Sequence, residues 1–326
     1  MRNLREFQKI FDVRIFEYLK KKKAEFLLID SEAIVFIDIL SEFIKNGGKR
    51  IRPALFYFAT KSYKGNLDDA LTRSIAFEFF QAFCLIHDDI IDQSKLRRGN
   101  PTVHTKYGQN TAILVGDMAL MIADEIFFSL ACSDLVTKTY NHFKQEVMIG
   151  EYLDLLGSKN TQKVMELKTA RYTFVRPVEL ALQLLALDQN QIDRWKNVLL
   201  SIGNTFQLKD DLVGVFGDEK IIGKSSDSDL FEGKYTELVR LFEIEADENE
   251  HRKFHALFGT SELDNVGCDE LRNMLIEKRA PQKIQKIILK NSIHIKQKLQ
   301  AIDEVALHGI LAEVLSNIEN MSMIHC

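Results

Sequence analysis

The chain is short of the residues that end helices and of those that cross-link small folds. Its 326 residues include only 16 glycines and 4 prolines, about half the usual share. So little turn-forming material cannot punctuate many short strands, and long helices are expected. The four cysteines, Cys84, Cys132, Cys268 and Cys326, are scattered. They lack metal-ligand spacing and are too few for a disulfide framework, so zinc is not expected and a reducing, cytoplasmic setting is. An uninterrupted apolar run of membrane length is also missing. The most apolar long stretch, AILVGDMALMIADEIFFSLA, carries Asp117, Asp124 and Glu125; it predicts a core helix and no stable membrane insertion. At the start of the chain, charges thread through the apolar positions where a signal peptide would have an apolar core, which predicts an amphipathic helix. Its Lys20 to Lys23 run reads as a solvated face. Positive charge is not in surplus either: the net charge is -4 and the basic residues are dispersed, so a nucleic-acid partner is not expected.

What is present is an ordinary globular composition, 46% apolar and 28% charged, which excludes disorder. Helical periodicity recurs over residues 4 to 26, 30 to 46, 53 to 63, 68 to 93, 110 to 132, 135 to 156, 160 to 188, 190 to 217 and 234 to 244, with shorter helices expected to follow. Breaks fall at Asn46-Gly47-Gly48, Lys64-Gly65-Asn66, Arg98-Gly99-Asn100-Pro101, Gly157-Ser158 and from Gly223 to Gly233. None has the length of a domain linker, so residues 1–326 are read as one all-α domain. Pro177 lies inside a helical pattern and should kink or unwind it, because it removes a donor and crowds the preceding turn.

Two acidic doublets sit on apolar, helix-patterned stretches: Asp88 and Asp89 in LIHDDIID, and Asp210 and Asp211 in FQLKDDLVGVFGD. Ionised carboxylates are costly to bury alone, so two such clusters call for something positive between them. Asp88 and Asp92 lie one helical turn apart on one face with Asp89 to the side. Hard carboxylate oxygens with room for water suit Mg2+, which is usually shared with substrate phosphates. His87 has no partner histidine at ligand spacing and reads as a packing or supporting group. Gln207, Asp210, Asp211 and Gly214 form a second stripe, an amide, two acids and a bare backbone. Cations flank the first acids. GGKRIRP places Lys49, Arg50 and Arg52 before a helix, and LRRGNP offers Arg97 and Arg98 after the first cluster; guanidinium forks and helix N-termini both hold phosphates. Lys168, Lys224 and Lys234 would extend the ring if their segments fold towards the same cavity.

GGKRIRP, FQAFCLIHDDIIDQSKLRRGNPTVH, GEYLDL, LKTARYTFVRP and FQLKDDLVGVFGDEKIIGKSSDSDLFEGKYT, taken in order from residue 47 to 236, resemble the motif series of the trans-isoprenyl diphosphate synthases, the polyprenyl synthetase family. The resemblance implies an all-α bundle of about ten or more helices around a central cavity, usually a homodimer, with aspartate-rich motifs on facing helices. It implies condensation of isopentenyl diphosphate with an allylic diphosphate (dimethylallyl, geranyl or farnesyl), release of pyrophosphate, and about three Mg2+ ions per site with substrate bound. Residue by residue, Asp88 and Asp92 bind Mg2+ with Asp89 supporting, and Asp210 binds with Asp211 nearby. Lys49, Arg52, Gln81 and Arg98 match the isopentenyl diphosphate pocket. Arg97, Lys168, Lys224 and Lys234 match the allylic diphosphate ligands, and Thr169 and Gln207 match polar groups beside the reacting carbons. Phe83 and Cys84, one turn before Asp88, match the chain-length positions and indicate a C20 or C15 product.

The chain departs from that pattern at three places. Gly214 stands where a third aspartate is frequent, Gly116-Asp117-Met118-Ala119 replaces Gly-Asp-Tyr-Leu, and the MSMIHC terminus lacks a basic tail. Two other readings compete. A class I terpene cyclase would carry an Asn/Ser/Glu triad and no GGKRIRP pocket; a non-catalytic partner subunit would have lost an aspartate motif, and Asp88, Asp89 and Asp92 are intact.

Overall fold

The structure, a computed structural model, describes residues 2–218, 226–260, 262–302 and 305–321. Its elements are almost all helices, as the scarcity of glycine and proline predicts. The residues group into two compact units: 1–137 with 180–187 and 304–313, and 138–179 with 188–303 and 314–326.

The first unit begins with α1 (Arg2–Ile29), whose buried Leu4, Phe7, Phe11, Ile15, Leu19 and Phe26 recur at steps of three, four or seven residues and so form one stripe. Each such side chain contributes about 1.5–3 kcal/mol on burial, and truncating Phe11 to Ala would cost about 3–5 kcal/mol. The expected solvated lysine run is corrected at one position. Lys22 turns inward to 8% exposure, with Nζ 2.6 Å from both carboxylate oxygens of Glu125, because the helical stripe carries it onto the core face while its neighbours stay outside. After α2 (Ile34–Lys45) and α3 (Ile51–Ser62) comes α4 (Leu67–Ile91), started by Asn66, whose side chain accepts from the amides of Asp68 and Asp69. It is buried nearly all round through Phe77, Phe79, Phe80 and Ile86, as the apolar sequence before Asp88 predicts. The turn expected at Arg98 to Pro101 is a small antiparallel hairpin, β1 (Leu96–Arg97) and β2 (Asn100–Pro101). A short α5 (Val103–Tyr107) follows, and α6 (Gln109–Phe128) packs Ala112, Val115, Ala119 and Ile122 inward.

Next along the chain come α7 (Asp134–Leu155), α8 (Thr161–Val164), a π-helix (Met165–Val175), α9 (Arg176–Leu184) and α10 (Gln189–Phe216), which belong to the second unit except for residues 134–137 and 180–184. The helix expected over 160–188 is thus unwound just upstream of Pro177. Pro177 has no amide to give the Thr173 carbonyl in an α-helix, and a register of five residues passes that acceptor to the next amide; the Arg176 amide already bonds to Arg171 in this wider register. Two glycines let other backbones close on the π segment. A Cβ on Gly203 of α10 would stand 2.4 Å from Ala170 Cα, and one on Gly150 of α7 would stand 2.7 Å from Lys168 N. Then come α11 (Ser228–Phe231), α12 (Glu237–Glu245), α13 (Glu248–Leu257), α14 (Asn265–Glu277), α15 (Ala280–Gln300) and α16 (Val305–Glu319), whose residues up to 313 belong to the first unit. The tail is not uniformly short-helical: α15 runs 21 residues, held by the stripe Ile284, Ile288, Ser292, Ile295 and Leu299.

Candidate active site

In the first unit, α4 delivers Asp88 and Asp89 in its last turn and Asp92 at its C-cap, with no basic residue in that turn. This is the negative end of the helix dipole, so the acids are repelled by the backbone as well as by one another. The hairpin returns a cation to them. Arg97 Nε donates at 2.8 and 2.9 Å to the two oxygens of Asp89, and Nη2 donates at 3.2 Å to Asp88. Asp89 is 1% exposed; burial raises its carboxyl above the usual range, and Arg97 opposes the rise. Burial alone would lower the Arg97 guanidinium, but Asp89, Asp88 and Asp92 hold it above its ordinary value. Asp89 is therefore committed to Arg97, while Asp88 and Asp92 remain partly exposed.

The next residue points elsewhere. Arg98 adopts a left-handed φ of 54° followed by Gly99 at 75°, which swings its guanidinium to the Gly47 carbonyl. Over the bare Gly48, Arg98 and Arg50 converge: a Cβ there would lie 3.3 Å from a guanidinium nitrogen of each. Burial lowers Arg98, as does repulsion from Arg97, Arg50 and Arg52, with Glu78 opposing. Clustered guanidiniums of this kind favour an anion. Arg50 itself is a brace, donating to the Ile44 carbonyl at 2.8 Å, to Asp12 at 3.2 Å and to the buried Glu78. Lys49 is exposed, and Arg52 and Gln81 are half-buried. Phe83 and Cys84 are buried on α4, the Phe83 ring meeting Phe80 at 5.7 Å and His87 at 4.8 Å. His87 packs, as expected from its lack of a partner histidine, with Nδ1 3.0 Å from the Phe83 carbonyl oxygen.

In the second unit a polar relay crosses from the π-helix to α12. Thr169 donates its hydroxyl proton to Gln207 Oε1, Gln207 Nε2 donates at 2.9 Å to Asp211, and the Glu237 amide donates at 3.4 Å to the other Asp211 oxygen. Burial pushes Asp211 up to about 8, and Asp210 and Asp229 add to the rise, while Gln207 and the Glu237 amide oppose it. Asp210, one residue back, is exposed.

The glycine that departs from the expected aspartate pattern has a physical reason. A Cβ on Gly214 would stand 2.0 Å from Asp229 Oδ2 and 2.8 Å from its Cγ, so the carboxylate of Asp229 occupies the space a side chain at 214 would need. Arg272 of α14 secures this segment, bonding to the Val215 carbonyl at 2.8 Å, to Ser226 at 3.2 Å and to Asp227. Asp229 was missed by the sequence reading. Its only signal was the empty third position together with an acid further along in SSDSDLFEGK.

Of the lysines, Lys168 is pinned between Glu151 at 2.7 Å and Asp154 at 2.6 Å, which gives GEYLDL a role. Lys234 pairs with Glu232 at 2.5 Å, and Lys224 lies outside the described residues. Within the second unit, Thr169, Gln207, Asp210, Asp211 and Asp229 are thus brought together; within the first, the acids meet Arg97, and Arg98 joins Gly48 and Arg50. Asp88 and Asp92, and Asp210 with Asp229, are all-oxygen donors suited to a hard divalent cation. The crowding of Asp210 and Asp229 on a buried Asp211 fits a site that takes one.

Comparison with known proteins bears on these arrangements. Geranylgeranyl diphosphate synthase of Methanosarcina mazei is 34% identical over 208 residues, 59% of this chain and 63% of that protein, so the aligned stretch spans less than two thirds of that relative. The short chain isoprenyl diphosphate synthase of Methanothermobacter thermautotrophicus is 27% identical over 321 residues, 95% of each chain. Among solved structures, geranylgeranyl pyrophosphate synthase from Corynebacterium glutamicum, complexed with isoprenyl diphosphate and magnesium, superposes with a TM-score of 0.88 at 28% identity, covering 97% of this chain and 98% of that one. Residues 35–274, which include both acid clusters and the cationic segments before and after the first, match the polyprenyl synthetase family, and with that match and the shared all-α fold the chain belongs to it.

Proposed function

We propose that this protein is a Mg2+-dependent trans-prenyltransferase that joins isopentenyl diphosphate to an allylic diphosphate and releases pyrophosphate. The observation that carries this reading is the hairpin, where consecutive residues serve two anion sites: Arg97 faces the acids and Arg98 faces the cationic cradle at Gly48. A condensation of two diphosphates needs two such sites, and a terpene cyclase needs one.

In this reading Lys49, Arg52, Gln81 and Arg98 hold the isopentenyl diphosphate, and Arg97, Lys168, Lys224 and Lys234 hold the allylic one. Asp88 and Asp92, with Asp89 fixing Arg97, and Asp210, with Asp229 and the supporting Asp211, are the Mg2+ ligands. When bound, the metal supplies Lewis-acid stabilisation of the pyrophosphate charge that grows as the allylic C–O bond breaks. The arginines and lysines neutralise the remaining charge without reorganising at the moment of reaction. Thr169 donates a hydrogen bond from its hydroxyl to Gln207 Oε1, so its lone pairs can face the allylic cation as a dipole without offering it a free nucleophile such as water. Gln207 is oriented in turn through Asp211. The double bond of isopentenyl diphosphate then attacks, and the proton it sheds goes to pyrophosphate. Lys168 must let go of Glu151 and Asp154 to reach a diphosphate, which makes it a switchable contact.

Phe83 and Cys84 favour a C20 product with C15 as the near alternative: Phe83 is the bulky wall and Cys84 the smaller neighbour. The match across residues 35–274 supports a single polyprenyl synthetase domain. A homodimer is supported by exposed Leu114, Met121 and Phe128, spaced by sevens along one side of α6. Among the described residues no helix is long and apolar enough to cross a membrane, in keeping with a cytoplasmic enzyme. The deciding experiment is chromatography of products from isopentenyl diphosphate with C5, C10 and C15 allylic starters and Mg2+. Elongated diphosphates ending at C20 or C15 are expected; cyclised hydrocarbons, or no consumption of either substrate, would overturn the assignment.

A further inference from the structure

A cluster outside the diphosphate chemistry has the donors of a different metal. We propose that Glu243, His251 and His255 form a transition-metal site of the zinc class that fastens α12 to α13. The two histidines are four apart on α13 and so share one face. The start of that helix is set by a capping box in which Asp247 accepts from the amides of Asn249 and Glu250, at 2.8 and 2.9 Å, and Glu250 accepts from Asp247. Their rings lie 4.4 Å apart, and both Nε2 atoms face one oxygen: Glu243 Oε1 is 3.0 Å from His255 and 3.5 Å from His251. All three donor atoms lie within 4.8 Å of one another. Tetrahedral Zn2+ with bonds of about 2.0–2.1 Å sets its ligand atoms roughly 3.3 Å apart, so the two oxygen–nitrogen separations already match, and the imidazole nitrogens, within 4.8 Å of each other, complete the set by closing on the ion.

The carboxylate is held for this task. Its other oxygen accepts from Lys159 at 3.3 Å and from the Tyr235 hydroxyl, leaving Oε1 to the imidazoles. Glu243 is 13% exposed; burial opposes its ionisation, but Tyr235, His255 and Lys159 outweigh it and keep the carboxyl below its ordinary range. Directly behind, Phe242 and Phe254, the residues preceding Glu243 and His255, stack at 4.5 Å and lock the two helices in register. The histidines are partly exposed, so a metal has access and water can complete the coordination. Two imidazoles and one carboxylate suit Zn2+ and its neighbours and not Mg2+, which prefers oxygen throughout. The scattered cysteines gave no reason to expect zinc, and the site uses none of them.

A carboxylate accepting hydrogen bonds from two neutral imidazoles would hold the same arrangement without metal, and the two readings part on metal uptake. The full-length protein, stripped with chelator and held in millimolar Mg2+, is titrated with Zn2+ by calorimetry and with Co2+ by visible absorption. One equivalent is expected to bind, with a Co2+ spectrum of low coordination number and a thermal midpoint raised by Zn2+. Affinity should fall by at least ~10–100-fold in His251→Ala, His255→Ala and Glu243→Gln. His255→Gln, which keeps a polar side chain, is the check if His255→Ala does not fold, and Asp88→Asn/Asp210→Asn should keep the site intact. Absence of uptake in the wild type, uptake unchanged in His251→Ala/His255→Ala, or uptake lost in Asp88→Asn/Asp210→Asn would overturn the proposal.

Discussion

The two acid clusters look alike in the sequence and differ in the folded chain. Asp88, Asp89 and Asp92 come with a built-in cation: Arg97 is bonded to Asp89 and Asp88 and is held charged by all three acids. Around Asp211 the neighbouring acids Asp210 and Asp229 add to the rise that burial causes, and an amide on each side, from Gln207 and Glu237, opposes it. Among the described residues, the buried acid of the first cluster is thus opposed by an arginine and that of the second by amides. The difference teaches that an aspartate's place in a motif does not settle its job. Asp89 reads as the holder of an arginine, and Asp229, outside the doublet, as the third acid of the second cluster.

The largest effect that would break this comparison is at the exposed ligands. Asp88→Ala and Asp210→Ala should each lower Mg2+-dependent condensation by about 10²–10³ or more, and full turnover in either variant would remove that residue from metal binding. Next comes the cation of the first cluster. Arg97→Gln strands a buried carboxylate, which costs about 1–3 kcal/mol, so urea unfolding should show a lowered midpoint that is largely restored in Arg97→Gln/Asp89→Asn. The second cluster is sharpened at its glycine. Gly214→Ala puts a methyl group into the Asp229 carboxylate and should cost about 1–3 kcal/mol, and a stability equal to the parent would mean that Asp229 does not occupy that space.

A further effect is a pH dependence. Asp211 is raised from 3.8 to about 8 in the folded chain, so the folded state binds its proton more tightly than the unfolded state does. Its contribution to stability is fully present below about pH 4 and is lost as the pH rises towards 8. Metal-free protein should thus lose part of its stability across that window, and Asp211→Asn should flatten the loss. An equal slope in parent and variant, measured by thermal unfolding, would contradict the raised value.

Much of this is legible in the amino-acid sequence. Low glycine and proline content announced the helices, and the unwound register upstream of Pro177 follows from one missing amide. The motif series named the family and the acids, because those residues carry their chemistry in their type and spacing. What stayed hidden depends on contacts distant in sequence. Lys22 faces the core because of the stripe it sits on and the Glu125 that meets it. Arg50 stands among phosphate-binding candidates, yet it bonds to Ile44 and Glu78. Asp229 reaches Gly214 through a segment that Arg272 ties down, and no local pattern predicts that approach. The Glu243, His251 and His255 cluster is likewise half visible: the histidine pair can be read from its spacing, but the glutamate needs the stacking of Phe242 on Phe254.

The unequal roles of Asp229 and Asp89 are tested most directly by calorimetric titration of Mg2+ with inorganic pyrophosphate into the wild type, Asp229→Asn and Asp89→Asn. Asp229→Asn should weaken Mg2+ binding by about tenfold or more, and Asp89→Asn should weaken it far less, because Asp89 is committed to Arg97. The reverse order, or an unchanged affinity in Asp229→Asn, would contradict the account.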